Sequence, residues 1–432
     1  MDFTSIEETI QRIAAGNPAI VVDDEDRENE GDFICAAEKL TPDLVNFMVT
    51  HGRGQFCVTV LPERARELRL EPATTHNTAL LRTAFTVTVD LRTLKTGISA
   101  SERAATVLAM VHPRTQPEDL ARPGHVQPII AQEGGVLRRA GHTEASVDLA
   151  RLAGLIPMGV LIEILDDNGE MARRDRLLEI SKKHQVPFTS IAELIRYRRR
   201  HEKLVHRVAS PDFPTSYGKF KCHLYSVDYE PQEPFALVLG DLSKVEAPLV
   251  RMHSSCFTGD VLRSLRCDCG DQLELALKKI GAEGVGAIVY LPQEGRGIGL
   301  SEKLKAYALQ DGGMDTVEAN IVLGFRADMR DYGIGIQILK DLGLRKVRIL
   351  TNNPKKIDSF ISYGYDLQVV GQEPLWAEPN AYRREYLRTK RDKLGHQLPP
   401  DANLAEETIT RAPQGAKGGN SLEKTDEYSS SS

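Results

Sequence analysis

Short apolar runs alternate along the chain with segments in which apolar residues recur every three or four positions. Residues 19–22 and 285–291 are β-prone runs that predict buried strands, whereas Leu273, Ala276 and Ile280 share one face of a helix. Strands and amphipathic helices of this kind occur in both halves. The pattern predicts an α/β (α+β) fold of two tandem domains, each with a mixed sheet and flanking helices.

The seam between the two domains is predicted by a change in composition. Residues 191–204 form a helix pattern that is apolar at its start and basic at its end, and turn residues follow it. We therefore expect domains at residues 1–200 and 205–395. The basic run 198–200 predicts a solvated helix end in preference to a nucleic-acid patch. Residues 397–432 have few large apolar side chains and predict a disordered tail.

The composition is that of a globular protein kept in a reducing compartment. The chain has 432 residues, of which 41% are hydrophobic and 27% charged, enough for two or three domains with sizeable cores. The N-terminus lacks the pattern of a signal peptide, and no apolar run approaches the about 18 residues of a membrane span. We expect a cytoplasmic protein without a membrane partner, and a net charge of -6 gives no general attraction for nucleic acid. Cys35, Cys57 and Cys222 are expected to be buried apolar residues.

The other three cysteines lie close together, at Cys256, Cys267 and Cys269. Their spacing lets three thiolates converge on one soft cation, and zinc with three protein ligands keeps its fourth position for water or substrate. His253 is the nearest residue able to close such a site, so a structural zinc knuckle is the alternative interpretation. Arginine, histidine and serine side chains around the cysteines suit phosphate oxygens, which favours metal-assisted hydrolysis.

An acidic segment follows the first predicted strand. Residues 23–32 contain seven carboxylates, and Arg27 lies among them. A solvated acidic loop is one interpretation. The flanking strands and the embedded arginine favour a magnesium site, because magnesium takes one or two carboxylates together with waters and substrate oxygens.

Candidate partners for the acidic segment lie further along the chain. His125 and His142 each follow a glycine, and Arg139 lies just before the second histidine. Taken singly, each histidine is more often a structural residue than a catalyst. Gly141 permits a tight turn that brings backbone amides close to a phosphate. Glu163 is a carboxylate on an otherwise apolar strand, which makes it a candidate for the same site.

The motifs of the two halves resemble two enzyme families. DDEDRENEGD, TGISASER, RPGHV and GHTEASVDL resemble 3,4-dihydroxy-2-butanone 4-phosphate synthase over about residues 5–200. RMHSSCFTGD, LRCDCGDQLE, QEGRGIGL and LTNNPKKID resemble GTP cyclohydrolase II over about residues 205–395. Since these motifs occur in the right order, the whole chain resembles the bifunctional riboflavin-biosynthesis family that fuses the two enzymes.

In the first half, the resemblance implies conversion of ribulose 5-phosphate into 3,4-dihydroxy-2-butanone 4-phosphate and formate. It implies that Glu28 and His142 bind Mg²⁺ or Mn²⁺ and that His125 and Glu163 are catalytic. The substrate-binding positions that it implies are Arg27, Asp32, Arg139, Ala140, Gly141, His142 and Thr143, with Thr96 and Ser99 as further phosphate contacts. Thr143 is also expected to cap a helix that begins near Glu144.

In the second half, the resemblance implies that GTP is hydrolysed to a diaminopyrimidine ribosylamino phosphate, formate and pyrophosphate. It implies Zn²⁺ on the three clustered cysteines, Arg330 as the nucleophile at the α-phosphorus, Asp328 as its proton acceptor and Tyr307 near the zinc. The GTP-binding positions that it implies are Arg251, Met252, His253, Ser254, Ser255, Gln272, Glu294, Gly295, Arg296, Thr316, Thr351 and Lys356. A homodimer that acts on small molecules is also implied.

A few positions depart from the family patterns and keep alternatives open. Ser255 stands where the family usually has glutamate, and Pro292 where arginine is common. In the first half, Ile130 replaces a common arginine, and residues 75–85 lack an expected His-Gly pair. The leading hypothesis is a bifunctional enzyme. The second is an active N-terminal half with a degenerate C-terminal scaffold, and the third is a zinc-knuckle nucleic-acid-binding protein, which the acidic net charge disfavours.

Overall fold

The structure is a computed structural model of the chain. It describes residues 3–24, 27–325, 330, 332–353, 356–357, 360, 366–378, 380, 382–393 and 395–397. Asp328 and nearly all of the predicted tail at 397–432 lie outside the described residues. No helix in the described ranges is long and apolar enough to cross a membrane.

Among its described residues, the first domain builds a seven-stranded mixed sheet in the order β4-β5-β3-β6-β2-β1-β7. Its strands are β1 Ala19–Val22, β2 Gly31–Ala36, β3 Cys57–Val60, β4 Val89–Leu91, β5 Leu120–Ile130, β6 Gly159–Glu163 and β7 Phe188–Ser190. Its helices are α1 Ile6–Ala14, α2 Pro42–His51, α3 Pro62–Glu67, α4 Ala100–Val111, α5 His142–Leu152, α6 Arg174–His184 and α7 Ile191–His201. The pairs β1/β7 and β3/β5 are parallel, and the other neighbours are antiparallel.

Helices cover both faces of this sheet, so its central strands are buried throughout. On β2, Phe33 packs into the core that contains Met48 of α2, and Ile34 packs into the opposite core with Leu149 of α5. Alternate residues of a strand point to opposite faces, which explains why a nearly continuous apolar run forms β2. The mixed sheet with flanking helices confirms the predicted fold class.

Among its described residues, the second domain builds an eight-stranded sheet. Seven strands follow the order β15-β14-β12-β13-β11-β10-β8, and β9 pairs with β10. The strands are β8 Val205–Ala209, β9 Asp212–Thr215, β10 Gly218–Val227, β11 Phe235–Leu239, β12 Leu249–Ser254, β13 Gly286–Leu291, β14 Lys346–Leu350 and β15 Gln368–Glu373. The helices are α8 Cys269–Glu283, α9 Leu300–Asp311, α10 Thr316–Val322, α11 Gly333–Asp341 and α12 Arg384–Asp392. Strands β13, β12, β14 and β15 run parallel, and α8 and α11 pack on opposite faces of the sheet.

Three details differ from the sequence predictions. Helix α5 begins at His142 with Gly141 as its N-cap, so Thr143 is a buried residue of the first turn and not a cap. Cys222 is only partly buried. Arg198 is 1% exposed because its guanidinium donates to Asp148 at 2.9 Å and to two acceptors on Glu202, so the basic end of α7 is not wholly solvated.

The two domains are joined through the end of α7. The side chain of Gln337 on α11 donates to the carbonyls of Arg199 at 2.8 Å and Glu202 at 3.0 Å, and it accepts from the Leu204 N–H at 2.8 Å. Asp341 at the end of the same helix accepts hydrogen bonds from Lys203, Arg207 and Tyr225. Polar contacts therefore satisfy the last carbonyls of α7 at the seam.

Candidate active sites

The first candidate site lies where β1 ends and the chain turns back into β2. The carboxylate of Asp23 organises this turn. Its Oδ1 accepts from the Glu30 N–H at 2.8 Å, and its Oδ2 accepts from the Glu28 N–H at 3.0 Å and from Arg27 Nη1 at 2.8 Å. The acidic segment is therefore an ordered turn that an internal carboxylate holds together, wherever the structure describes it.

Asp23, Glu28 and His142 each bring one potential ligand atom into a group whose members all lie within 4.8 Å of one another. His142 Nε2 lies 3.1 Å from the Val21 carbonyl oxygen, which can only accept, so Nε2 carries the proton and Nδ1 keeps its lone pair. Burial lowers the pKa of His142 to about 4, which keeps the ring neutral. The sequence analysis did not single out Asp23, although its place directly after β1 is a signal of this role.

The carboxylates of this site are crowded and short of positive charge. Asp32 on β2 pairs in register with Glu163 on β6. Burial first, and the charge of Glu163 second, raise the pKa of Asp32 well above its usual value, and burial also raises the pKa of Glu30. Within the described part of the chain, Asp32 Oδ1 has no hydrogen-bond partner. A cation is the group that would satisfy this cluster.

Arg27 and Arg139 approach the acidic turn on either side of Gly141. A Cβ at Gly141 would lie 2.5 Å from Arg139 Nη1 and 3.2 Å from Arg27 Nη2, so glycine allows the two guanidinium groups to come this close. Arg139 is fixed by an ion pair of 2.8 Å with buried Glu144. Ala140 and Arg27 line a neighbouring cavity of about 1260 Å³ that opens to solvent. Paired guanidinium groups suit phosphate oxygens.

His125 on β5 is held by Asp90 on β4, a residue that the sequence analysis missed. His125 Nδ1 lies 2.7 Å from Asp90 Oδ2, and the His125 N–H donates to Asp90 Oδ1 at 2.9 Å. An ionised carboxylate can only accept a hydrogen bond, so Nδ1 of His125 carries the proton. Its Nε2 is therefore able to take a proton from a ligand and return it. The predicted phosphate contacts Thr96 and Ser99 donate instead to Glu102, at 2.6 and 3.0 Å.

The second candidate site is a cavity of about 1000 Å³ at the carboxyl ends of β12, β13 and β14, a usual place for ligands in α/β sheets. The predicted positions that line it are Arg251, His253, Ser254, Ser255, Cys256, Cys267, Cys269, Gln272, Gly295, Arg296, Tyr307, Thr316, Arg330, Thr351 and Lys356. The Met252 side chain packs in the core instead, because alternate residues of β12 face opposite sides of the sheet. Glu294 lies beside the cavity and does not line it.

The sulfur atoms of Cys256, Cys267 and Cys269 lie within 4.8 Å of one another. A Cβ at Gly259 would lie 2.8 Å from the Cys267 sulfur and 3.1 Å from the Cys256 sulfur, so glycine lets the backbone pass beside the thiols. Hydrogen bonds from Cys267 and Cys269, and then the charge of Lys303, lower the pKa of Cys256. Within the described chain, no fourth ligand atom joins this group.

Lys303 is a residue of this site that the sequence analysis missed. Its Nζ lies 3.0 Å from the Cys256 sulfur, 2.8 Å from Thr258 Oγ1 and 2.7 Å from Glu294 Oε1. The hydroxyl of Tyr307 lies 3.4 Å from Thr258 Oγ1. The only sequence signal was the position of Lys303 on helix α9, which begins just after the glycine-rich loop at residues 293–299.

His253 is engaged by a carboxylate. Its Nε2 lies 3.0 Å from Asp260 Oδ2, which also accepts from the Tyr290 hydroxyl at 2.9 Å and from the Cys256 N–H at 3.0 Å. This network supports the backbone of the first cysteine. Within the described residues His253 is held by Asp260 and does not join the sulfur group, so the structure gives no support to the closed zinc knuckle.

Buried polar side chains shape the rest of the cavity. Arg251 donates to the Leu350 carbonyl at 2.8 Å and to Gln272 Oε1 at 2.7 Å. The Asn353 N–H donates to Thr351 Oγ1 at 3.0 Å, which fixes the turn after β14. Lys356 Nζ lies 2.6 Å from the Met252 carbonyl. These contacts connect the ends of two parallel strands on one side of the cavity.

Residues from three further parts of the chain complete the cavity wall. Gly295 and Arg296 both have φ of 63°, a left-handed conformation that aims their backbone toward the cavity rim. The Arg330 guanidinium lies 5.8 Å from the centre of the Tyr332 ring. Ser255, one of the departures from the family pattern, also lines the cavity, and its N–H donates to the Leu291 carbonyl at 2.7 Å.

Two family models match the chain. The model for 3,4-dihydroxy-2-butanone 4-phosphate synthase matches residues 7–197, and the model for GTP cyclohydrolase II matches residues 206–374. They divide the chain in the same order as the two sheets.

Curated relatives and a solved structure match over nearly the whole chain. The riboflavin biosynthesis protein RibBA of Bacillus mycoides is 53% identical over 396 residues, which cover 92% of this chain and 99% of the relative. RibBA of Aquifex aeolicus is 53% identical over 398 residues, covering 91% and 98%. The crystal structure of RibBX, a two-domain 3,4-dihydroxy-2-butanone 4-phosphate synthase from A. baumannii, is 34% identical with a TM-score of 0.66, covering 87% of this chain and all of the other.

Proposed function

Since the chain belongs to the family of bifunctional riboflavin-biosynthesis enzymes, with a 3,4-dihydroxy-2-butanone 4-phosphate synthase followed by a GTP cyclohydrolase II, we propose that each candidate site performs one of the two reactions. The acidic turn of the first domain acts on ribulose 5-phosphate. The sulfur-lined cavity of the second domain acts on GTP. Both substrates are small molecules. The domain limits that we propose are residues 1–200 and 205–395.

The donors of the first site fit magnesium or manganese. Asp23 and Glu28 offer carboxylate oxygens, His142 offers an unprotonated ring nitrogen, and buried Asp32 has an unsatisfied oxygen beside them. A divalent cation supplies the positive charge that an enediolate on the substrate needs. Arg27 and Arg139 hold the substrate phosphate across Gly141.

Proton transfers in the first reaction fall to groups at the edge of this cluster. Asp32 and Glu163 face each other in register, and burial raises the pKa of Asp32 above that of an ordinary carboxyl group, which favours its use in proton transfer. Glu163 is itself oriented by the Gln55 N–H, which donates to its Oε2 at 2.8 Å. His125 supplies a further acid or base through Nε2.

The three cysteines fit zinc with an open fourth position. Zinc supplies Lewis acidity and an activated water for the opening of the imidazole ring of GTP. Lys303 balances the negative charge of the thiolates, and Tyr307 faces the same space through Thr258. Arg251, Gln272, Arg296, Thr351 and Lys356 hold the nucleotide. Arg330 attacks the α-phosphorus and displaces pyrophosphate, while Asp328, outside the described residues, takes the guanidinium proton. Water then cleaves the bond between Arg330 and phosphorus and frees the nucleoside monophosphate.

The observation that carries this assignment is the convergence of the family's GTP-binding positions on one cavity with the sulfur trio. Positions separated by as much as Arg251 and Lys356 in sequence meet there because β12 and β14 are parallel neighbours. Neither the alternative of a degenerate scaffold nor that of a nucleic-acid-binding module requires this convergence.

The test is to measure formate released by the purified full-length chain from ribulose 5-phosphate with Mg²⁺ and, separately, from GTP with Zn²⁺. We expect formate from both. Formate from ribulose 5-phosphate alone would overturn the assignment of the second site, and Ser255→Glu restoring the GTP reaction would then locate the defect. A homodimer, as the family pattern suggests, predicts a mass of twice the chain in sedimentation velocity.

A further inference from the structure

The C-terminal helix α12 lies beyond residues 206–374, which the GTP cyclohydrolase II model matches, and yet it contributes to the nucleotide cavity. Tyr386 and Lys390 of this helix, and His396 just after it, line the cavity together with the clustered cysteines. None of the three was identified by the sequence motifs. The cavity is therefore incomplete without the segment from residue 382 to residue 397.

Lys390 reaches the turn that carries two of the three sulfur atoms. Its Nζ lies 2.6 Å from Oδ1 of Asp268, the residue between Cys267 and Cys269, and both side chains are less than 10% exposed. The other carboxylate oxygen of Asp268 accepts from Gln272 Nε2 at 2.7 Å. A buried carboxylate at this point is costly unless a cation is paired with it. Lys390 therefore stabilises the backbone that presents the two thiols.

The same contacts extend from the sulfur turn to the nucleotide. Gln272, which donates to Asp268, accepts from Arg251 Nη2 at 2.7 Å through its own Oε1. Arg251 is one of the positions assigned to GTP. A chain of hydrogen bonds thus leads from Lys390 through Asp268 and Gln272 to Arg251. Removing Lys390 would leave the carboxylate unpaired and free the Gln272 amide to turn.

The segment is anchored on three sides of the cavity. Arg383 pairs with Asp271 of α8, Lys393 pairs with Glu318 of α10 at 2.9 Å, and the Gln397 N–H donates to the carbonyl of Asn352, in the turn after β14, at 3.0 Å. These anchors lie at the start of the helix, at its end and beyond it. The segment therefore spans the cavity rim as a strap.

The aromatic ring of Tyr386 lies beside two cations of the cavity wall. The Tyr386 ring lies 5.9 Å from the Arg296 guanidinium and 4.6 Å from Lys390 Nζ. Burial first, and the charges of Lys390 and Arg330 next, lower the pKa of His396 to about 3, so its ring is neutral. A neutral imidazole and a phenol are suited to a purine or ribose, whereas the neighbouring cations suit phosphates.

We propose that residues 382–393 and 395–397 form a strap that completes the GTP site, with Lys390 as the positioning residue for the metal-bearing turn and Tyr386 as part of the nucleotide wall. The inference rests on the proposed GTP reaction of this cavity. It assigns the strap two separable effects: Lys390 acts on metal retention and turnover, and Tyr386 acts on nucleotide affinity.

The test compares four full-length variants with the wild-type chain. Lys390→Met should release zinc to a chromogenic chelator faster and lower kcat for GTP, each by roughly 10–100-fold, the usual effect of losing a group that orients a metal ligand. Lys390→Arg should keep most of the zinc retention and most of the kcat of the wild-type chain. Tyr386→Leu should raise KM for GTP and leave zinc retention unchanged. Arg391→Met, on the exposed side of the same helix and paired with its neighbour Asp392, is the matched control.

Formate from ribulose 5-phosphate reports in every variant whether the first domain has folded, and the urea-unfolding transition reports whether the second has. If the wild-type chain releases no formate from GTP, the proposed function fails. If it does, and Lys390→Met retains zinc and turnover like Arg391→Met, the strap inference is overturned. Should Lys390→Met fail to fold, zinc retention in Lys390→Arg and the KM of Tyr386→Leu decide the matter, and wild-type values in both would reject the proposal.

Discussion

The two sites of this enzyme meet opposite electrostatic demands. In the first, carboxylates crowd one another, and burial together with neighbouring acids raises the pKa of Asp32 and of Glu30. In the second, the lysine side chains of Lys303 and Lys390 pair with the sulfur atoms or with the turn that carries them. The first site thus keeps an excess of carboxylates although Arg27 pairs with Asp23 and Glu28, whereas in the second site lysines of the chain offset the thiols and the turn that carries two of them.

In the proposed assignment the difference also separates the metals of the two sites. Carboxylate oxygens and one imidazole suit a hard cation that exchanges readily, and three thiolates suit a soft cation that stays bound. Changing one site and measuring both reactions therefore sharpens or breaks this contrast.

The largest effects are expected from the metal donors. Cys267→Ser should lower formate release from GTP by at least about a hundredfold, since even orienting groups around a metal cost 10–100-fold, and it should leave the ribulose 5-phosphate reaction unchanged. His142→Ala should do the reverse. Cys222→Ser is the matched control for the cysteine change. Loss of both reactions in either variant would show that the sites are not independent.

The lysine beside the sulfur atoms is the next test. Lys303→Met should weaken zinc retention by about tenfold or more, measured as transfer to a chelator, because the thiolates lose the cation that offsets their charge. Lys305→Met, an exposed lysine on the same helix that pairs with Glu302, is the control. Unchanged zinc retention in Lys303→Met would mean that the second site does not depend on a countercharge from the chain.

A smaller effect is expected at the histidine of the first domain. Asp90→Asn removes the carboxylate that orients His125, so kcat for ribulose 5-phosphate should fall roughly tenfold. This loss is part of the ~10²–10⁴-fold rate enhancement that a general acid or base supplies. KM should change little, because Asp90 is not among the groups assigned to the phosphate. Asp43→Asn, on the surface of α2, controls for loss of charge. An equal fall in the GTP reaction would contradict a role confined to the first site.

The smallest effect is expected at the seam. Burial opposes ionisation of Asp341, but hydrogen bonds from Lys203, Arg207 and Tyr225 outweigh it and lower its pKa below the usual 3.8. The stabilisation is therefore present above pH 3.8 and is lost as the pH falls through the lowered value. Asp341→Asn should reduce the free energy of unfolding by about 1 kcal/mol at pH 7, as for a partly screened ion pair.

Urea unfolding at pH 7 and at pH 3 checks this, with Asp212→Asn, on the exposed strand β9, as the control. The Asp341→Asn difference should shrink at pH 3, and both formate activities should persist at pH 7. A difference that does not depend on pH would assign the effect to packing and not to charge.

The sequence indicated candidate metal donors in both halves because those donors are grouped locally. Cys267 and Cys269 are separated by one residue, and Glu28 lies in a run of carboxylates, so spacing alone indicated a soft and a hard site. The sequence could not decide whether residues 23–32 form a solvated acidic loop or a metal site. Only the structure showed that Asp23 holds the acidic turn together, because its carboxylate accepts hydrogen bonds from the N–H groups of Glu28 and Glu30.

What the sequence alone determined are the features that depend on neighbours along the chain: the strands and helices, the two-domain α/β class, the sulfur trio and the acidic turn. The tertiary structure decided which distant residues join them, including Lys303 and Lys390 beside the thiols and Asp90 behind His125. The tertiary structure also decided that Met252 packs in the core and that Arg198 is buried at the seam. The physical reason is that periodicity encodes which face of an element is apolar, whereas the order of strands in a sheet decides which elements share a site.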